Sequence, residues 1–517
     1  EFDNLEAGQY DIAMDWRNVG DSLRAALYVA LVPDDDPNDK TTASKNYFDE
    51  MWCGLDDNVN VCGWLADNLV TFTSGVDTTS LLSGSSVWSH AVGKVSVKGN
   101  IKYRLALAYV TSGNAAVRNP GACVDNIQIA RNNCGTPTDL KVSVSGRQAT
   151  FTWTSSAQQF NIRYSKQGSD EVKEVMGLNT PRFIQTLEHG VYNFYIQVVC
   201  NGETSVWYSF PIVIIYDSKC FNYLDLTREN CFYSDKVATV DEGFAYNENL
   251  LKPMKIDKGF QSMYSRHTIH YMEDEFDTRT YNSIDSKKQK VEPLRTIPEG
   301  EIASVRVGSW EQAGHVARIA YDFVVDTTEA SVLMLKYALV LQTSGHPLVQ
   351  RPRFILKVVD ADTGKELSKC TTADFSSQTG GDGWNINHVK GADKEDSNDI
   401  CWRDWTTIGM NLSEYNNAHI RILLTVYGCT QSYHYAYAYF TLNCASGRIE
   451  GINCGDNPTN EFIAPPGFDY RWYLASDPNN TLSTKDTFPV EYDDDRLYMV
   501  DVTYKTNKDC GFTLSAC

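Results

Sequence analysis

Four groups of residues in this 517-residue chain could do chemistry: fourteen cysteines, nine histidines, several aspartate clusters and one row of tyrosines. Metal-binding cysteines and histidines would announce themselves by tight CxxC or HxxxH spacing, and neither pattern occurs. The cysteines fall instead into short intervals, Cys53/Cys62, Cys220/Cys231, Cys370/Cys401 and Cys429/Cys444, which is the spacing of small closed loops. So many cysteines read as a disulfide framework, and therefore as an oxidising, extracytoplasmic setting. His267 and His270 stand three apart, which on a strand places them on opposite faces, unsuited to sharing a metal. No HExxH, GxSxG or P-loop pattern is present, so catalysis is not expected; a glycosidase would need a carboxylate pair in a cleft.

Oxygen-rich loops are the other chemical signal. Calcium takes carboxylate, amide and carbonyl oxygens. The candidates are Asp34 with Asp35 and Asp36, Asp56 with Asp57, Asp125, and Asp493 to Asp495. Solvated turns explain the same residues, and for the 493–495 run that is the preferred reading. Tyr433, Tyr435, Tyr437 and Tyr439 share one parity of the run CTQSYHYAYAYFTLNC. They predict either a core face or a platform on which sugar rings stack.

The elements that must position these residues are strands throughout. YDIAMDW, LRAALYVALVP, YRLALAYV and CVDNIQI open the chain, and Asn133 to Pro137 reads as a junction. A compact module of alternating strands follows, with Trp153 in its core. YDFVVD, VLMLKYALVLQ, PRFILKVVD, AHIRILLTVYG and the tyrosine run then build a large sandwich, and GFDYRWY and LYMVDVTY a short last one. Residues 273–300 are charged and poor in strand signal, and predict an extended surface excursion. The expectation is an all-β chain of tandem β-sandwiches: a jelly roll (1–133), a fibronectin type III module (134–217), a large jelly roll (218–445) and an immunoglobulin-like module (446–517). Short junctions predict limited contact between neighbours.

Net charge of −20 with a pI near 4.9 argues against a nucleic-acid partner. No apolar run reaches membrane-spanning length.

Several stretches carry a family resemblance. ALYVALVPD, Trp88 before YRLALAY, and VDNIQIARNNCGTPTDL resemble the MAM-like jelly roll plus fibronectin module of large Bacteroidota surface proteins. Leu187-x-x-Gly190-x-Tyr192 resembles the tyrosine corner of fibronectin type III domains. SRHTI, VLMLKYALVLQTSGHP, DWTTIGMNLSEY, CTQSYHYAYAYF and APPGFDYRWY resemble later modules of such chains, with cleaved-adhesin domains more distant. In that family an acidic residue is usual where Thr441 stands, and several strands precede the equivalent of YDIAMDW.

The resemblance implies a non-enzymatic, extracellular or outer-surface adhesive protein of the type IX cargo kind. The alternative is a carbohydrate-binding accessory region of a larger secreted enzyme. Its partners would be a surface glycan or protein, with other modules of a longer polypeptide or further copies. It implies no catalytic cofactor, but a structural calcium at Asp125 with the loops of Asp34, Asp56 and Asp57. Glycan stacking would fall to Tyr433, Tyr435 and Tyr437. Ser22, Thr78 and Thr327, each after an aspartate, match the O-glycosylation acceptor of such proteins. Spacing and likeness together give six expected bridges: Cys53–Cys62, Cys134–Cys200, Cys220–Cys231, Cys370–Cys401, Cys429–Cys444 and Cys454–Cys510. Each stays inside one module. Cys123 and Cys517 are left over, and with the absent early strands they predict that the chain is a piece of a longer polypeptide.

Overall fold

The computed structural model describes residues 2–18, 25–33, 68–74, 77–83, 85–99, 101–111, 121–235, 250–259, 265–272, 275–312, 314–377, 383–389, 398–445, 461–490, 496–505 and 507–516. These residues form strands in several sheets with only single-turn 3-10 helices between them, an all-β fold. They divide into two compact units, residues 1–217 with 259–262, and 218–258 with 263–517.

The first unit opens with two facing sheets. One orders Phe2–Leu5, Ile101–Thr111, Ala25–Pro33 and Leu81–Leu82; the other orders Asp77–Thr79, Thr71–Ser74, Ser85–Val97, Gly8–Asn18 and Cys123–Arg131. Alternation dictates the core: Tyr10, Ile12, Met14 and Trp16 from one strand meet Leu27, Val29 and Leu31 from the other sheet. Strand Gly8–Asn18 is paired on both sides, with Ser85–Val97 and with Cys123–Arg131.

The sandwich that follows packs Thr138–Ser145, Gln148–Thr154 and Arg182–Thr186 against a sheet centred on Gln159–Lys166 and Gly190–Cys200. Phe151, Trp153, Phe160 and Phe194 fill it, and the Tyr192 hydroxyl donates to the Glu188 carbonyl at 3.1 Å, tying the corner. Contact across the junction is not limited. Ala13, Val92 and Ala130 of the first sandwich join the second one's apolar cluster. Buried Asp11 accepts from Tyr208 at 2.5 Å and from Asn132 at 3.1 Å, and burial pushes its carboxyl up from the ordinary carboxylate value. His90 bridges Asp15 (2.7 Å) and the Trp207 carbonyl (2.8 Å).

In the second unit, a six-stranded sheet runs Lys252–Pro253, Cys231–Ser234, Val316–Val324, His419–Tyr427, Arg353–Asp360, Ala373–Ser376. It faces a seven-stranded sheet, Asp257–Lys258, His267–His270, Ser304–Gly308, Ala436–Ala445, Val332–Gln342, Ile400–Asn411, Asn385–Asn387. A small pair of sheets, with Asp469–Leu474, Tyr498–Thr503 and Gly511–Ala516 in the larger, completes the unit.

Three disulfides occur among the described residues, and two correct the expected pairing. Cys134–Cys200 is formed. Cys220 bonds Cys444, not Cys231, and Cys370 bonds Cys510, not Cys401. Cys429–Cys444 fails because Ala436–Ala445 is extended between them, and ten strand residues carry the chain about 30 Å away. Cys231 and Cys401 are buried within strands, the Cys401 thiol donating to the Leu341 carbonyl at 3.1 Å. Cys454–Cys510 is excluded by the Cys370 bond. That bond joins the large sandwich to the small one, so bridges do not all stay inside one module. Cys53, Cys62, Cys454 and Cys517 lie outside the described residues; Cys123 is unbonded and half-buried.

Candidate functional site

The tyrosine row is where the structure departs furthest from the sequence reading. Residues 275–300 fold down onto the outer face of the seven-stranded sheet. Asp277 caps the 3-10 turn Thr278–Thr280, its Oδ1 accepting from the Arg279 amide at 2.9 Å. Its other oxygen accepts from the hydroxyls of Tyr437 (2.7 Å) and Tyr439 (2.9 Å). Ser283 accepts from the Trp402 indole at 2.8 Å, and Ile284 exchanges backbone hydrogen bonds with Ile386 at the sheet edge. The result is a second apolar cluster of Leu294, Val340, Trp402, Tyr435, Tyr437 and Tyr439.

Tyr435 and Tyr437 are therefore 4% and 0% exposed, and cannot stack on a sugar. Tyr433 is 68% exposed, but it lies in the turn before the strand and shares no platform with them. Burial first, then the nearby Asp277 carboxylate, pushes the Tyr437 and Tyr439 hydroxyls well above the ordinary tyrosine range.

An open cleft of about 560 Å³ lies over this cluster. Trp405 and Phe276 supply its aromatic surface, Glu292, Glu299 and Asp404 its carboxylates, and Arg295 its one guanidinium. The rings are held. Trp405 donates its indole N–H to the Arg295 carbonyl at 2.9 Å, and its ring lies 6.4 Å from Tyr439. Asp404 accepts from the Trp405 amide at 2.8 Å, and the Arg295 guanidinium sits 5.2 Å from the centre of the Phe276 ring. Fixed aromatic faces can pack on the apolar face of a sugar, and carboxylate oxygens accept from its hydroxyls. Three carboxylates against one guanidinium disfavour an anionic ligand. A second cavity, about 440 Å³ beside Arg421 and Asp322, has only Phe232 as an aromatic, and its Arg421 is already spent in a two-pronged pair with Asp322 at 2.7 Å.

The other expected site residues are dispersed. Asp125 is exposed on Cys123–Arg131, and its Oδ1 accepts from the Asn126 amide at 2.8 Å. Asp34, Asp56, Asp57 and Ser22 lie outside the described residues, as does 493–495. Thr78 belongs to Asp77–Thr79. Thr327 is half-buried in a turn that Asp326 organises by accepting from Thr328. Sequence reasoning passed over Asp277, Phe276 and Trp405. The only local signal was Asp277 before Thr-Arg-Thr, a capping pattern inside a stretch that otherwise reads as loop.

No protein-family model matches the chain, and no curated protein sequence does. Among solved structures, a carbohydrate-binding module from the β-sandwich superfamily is similar at 11% identity and a TM-score of 0.18, over 60% of this chain and 99% of its own. Bacteroides uniformis β-glucuronidase 2 is similar at 9% identity and a TM-score of 0.16, over 59% of this chain and 27% of its own. The infectious bursal disease virus VP2 subviral particle is similar at 8% identity and 0.16, over 86% and 74%. At such scores the likeness carries no argument, and the all-β sandwich description stands on the sheets themselves.

Proposed function

We propose that this chain is a non-enzymatic, extracellular adhesive protein built of tandem β-sandwich modules, one of which presents a glycan-contact cleft. The modules are the jelly roll, fibronectin type III, jelly roll and immunoglobulin-like units read from the sequence, of the Bacteroidota surface-protein kind. The observation that carries the reading is the cleft, with Trp405 and Phe276 held in place beside Glu292, Glu299 and Asp404. The disulfides support an oxidising setting. The cleft's charge selects neutral sugars over uronates or sulfated chains. A calcium at Asp125 and the Asp34, Asp56 and Asp57 loops belongs to the same reading, and a chelator should then lower the melting temperature of the first sandwich.

The test is a glycan array followed by titration of any neutral polysaccharide retained. Micromolar binding that Trp405→Ala weakens at least tenfold and Tyr433→Ala leaves unchanged is the expected result. Retention of no glycan, or binding indifferent to Trp405→Ala, overturns the glycan-contact reading. The runner-up, an accessory region of a secreted enzyme, is favoured if the bound polysaccharide is also cleaved by the natural full-length product.

A further inference from the structure

Two turns at one end of the large sandwich bring together residues that the sequence keeps far apart. One leaves strand Val332–Gln342 and carries Ser344 and His346; the other, 428–435, joins His419–Tyr427 to Ala436–Ala445. The second turn is tightly held. Cys429 donates its amide to the His434 carbonyl at 2.8 Å, Ser432 closes back on Cys429 with φ of +64°, and Thr430 donates to Gln350 at 3.2 Å. One nitrogen each of His346 and His434 and the Cys429 sulfur lie within 4.8 Å of one another.

Backbone N–H groups converge on the sulfur. It accepts the backbone amides of Tyr433 and His434, both at 3.3 Å, and sits 3.3 Å from His434 Nδ1. Cys429 is fully buried and His434 nearly so. His346 Nε2 is buried without a hydrogen-bond partner, and so are the hydroxyls of Ser344 and Thr430 on the same two turns. An orphaned buried nitrogen costs about 1–3 kcal/mol unless something satisfies it.

We infer that His346, Cys429 and His434 form a binding site for a borderline-soft transition-metal cation of the zinc class. Tetrahedral zinc holds a nitrogen and a sulfur about 3.5 Å apart, close to the His434–Cys429 separation. With two imidazoles and a thiolate and no carboxylate among the three, the site suits neither calcium nor magnesium. Three ligands leave a fourth position for water or a group from a partner.

The test is a cobalt(II) titration of the full chain after dialysis against chelator, followed by displacement with zinc. A thiolate-to-cobalt charge-transfer band should saturate at one equivalent, vanish in Cys429→Ser and persist in Cys231→Ala. His346→Ala, on the less buried turn, should weaken zinc binding at least tenfold with the unfolding transition retained. Absence of the band from the parent chain, its survival in Cys429→Ser, or unchanged affinity in His346→Ala would each overturn the assignment. Neither result depends on the Trp405 cleft.

Discussion

Asp277 Oδ2 accepts the Tyr437 hydroxyl at 2.7 Å, and through that bond a loop-like segment becomes the lid of a buried tyrosine face. Asp277 is 2% exposed, and a buried carboxylate is tolerated only when its oxygens are hydrogen-bonded. Removing it strands the hydroxyls of Tyr437 and Tyr439 and the capped Arg279 amide. Asp277→Ala should lose about 3 kcal/mol or more of unfolding free energy, since each orphaned buried group costs about 1–3 kcal/mol. Asp277→Asn, which keeps an acceptor, should lose less. Urea denaturation showing a loss under about 0.5 kcal/mol for the alanine variant would mean the lid is not anchored there.

The Cys370–Cys510 bridge closes a loop of 140 residues between the large and small sandwiches. The chain-entropy model assigns such a closure about 5 kcal/mol as an upper figure. Peptide mapping without reductant should recover Cys370 with Cys510 and Cys220 with Cys444. Recovery of Cys370 with Cys401 would contradict the structure directly.

The sandwiches of the second unit also meet at Gly409. A Cβ there would lie 2.8 Å from the Phe512 ring and 3.0 Å from Phe468, and the Gly409 carbonyl accepts the Tyr504 hydroxyl. Gly409→Ala should therefore loosen the small sandwich, at about 1–3 kcal/mol. The readout is limited proteolysis: cleavage within 496–516 should accelerate while the large sandwich stays protected. Equal protection throughout would show that the ring contact is soft.

His267 should make the second unit acid-sensitive. It is fully buried, its Nε2 donates to the Phe232 carbonyl at 3.1 Å, and its Nδ1 has no partner. Burial lowers its pKa from 6.5 to about 4. The folded pKa lies below the unfolded one, so the stability is complete above 6.5. It is lost as pH falls from 6.5 toward 4, because only the unfolded chain takes up the proton. The loss approaches about 3 kcal/mol at the lower end. His267→Gln should flatten that slope in denaturant titrations between pH 7.5 and 4.5, whatever its absolute stability. An unchanged slope would assign the acid sensitivity to other groups.

What the sequence determined by itself is local. Alternation in YDIAMDW, FNIRYS and the tyrosine run names the strands and the residues that share a face, because side-chain direction in a strand depends only on parity. The resemblance of Leu187-x-x-Gly190-x-Tyr192 to a tyrosine corner implied a tie from the tyrosine hydroxyl to the backbone, and the structure gives the Glu188 carbonyl as its partner. Which of two faces is buried is not local. Tyr435 and Tyr437 allow a platform beside the preferred core reading until residues 275–300 are laid over them, and that covering is fastened by residues far away in sequence, Asp277, Ser283 and Ile284. The cysteines make the same point. Sequence distance favoured Cys429–Cys444, but an extended strand drives near neighbours apart, while sheet closure brings Cys220 to Cys444 and module docking brings Cys370 to Cys510. The groupings of Trp405 with Phe276 and of His346 with Cys429 and His434 arise in the same way. Each depends on turns and edges meeting in space, and no spacing along the chain encodes that meeting.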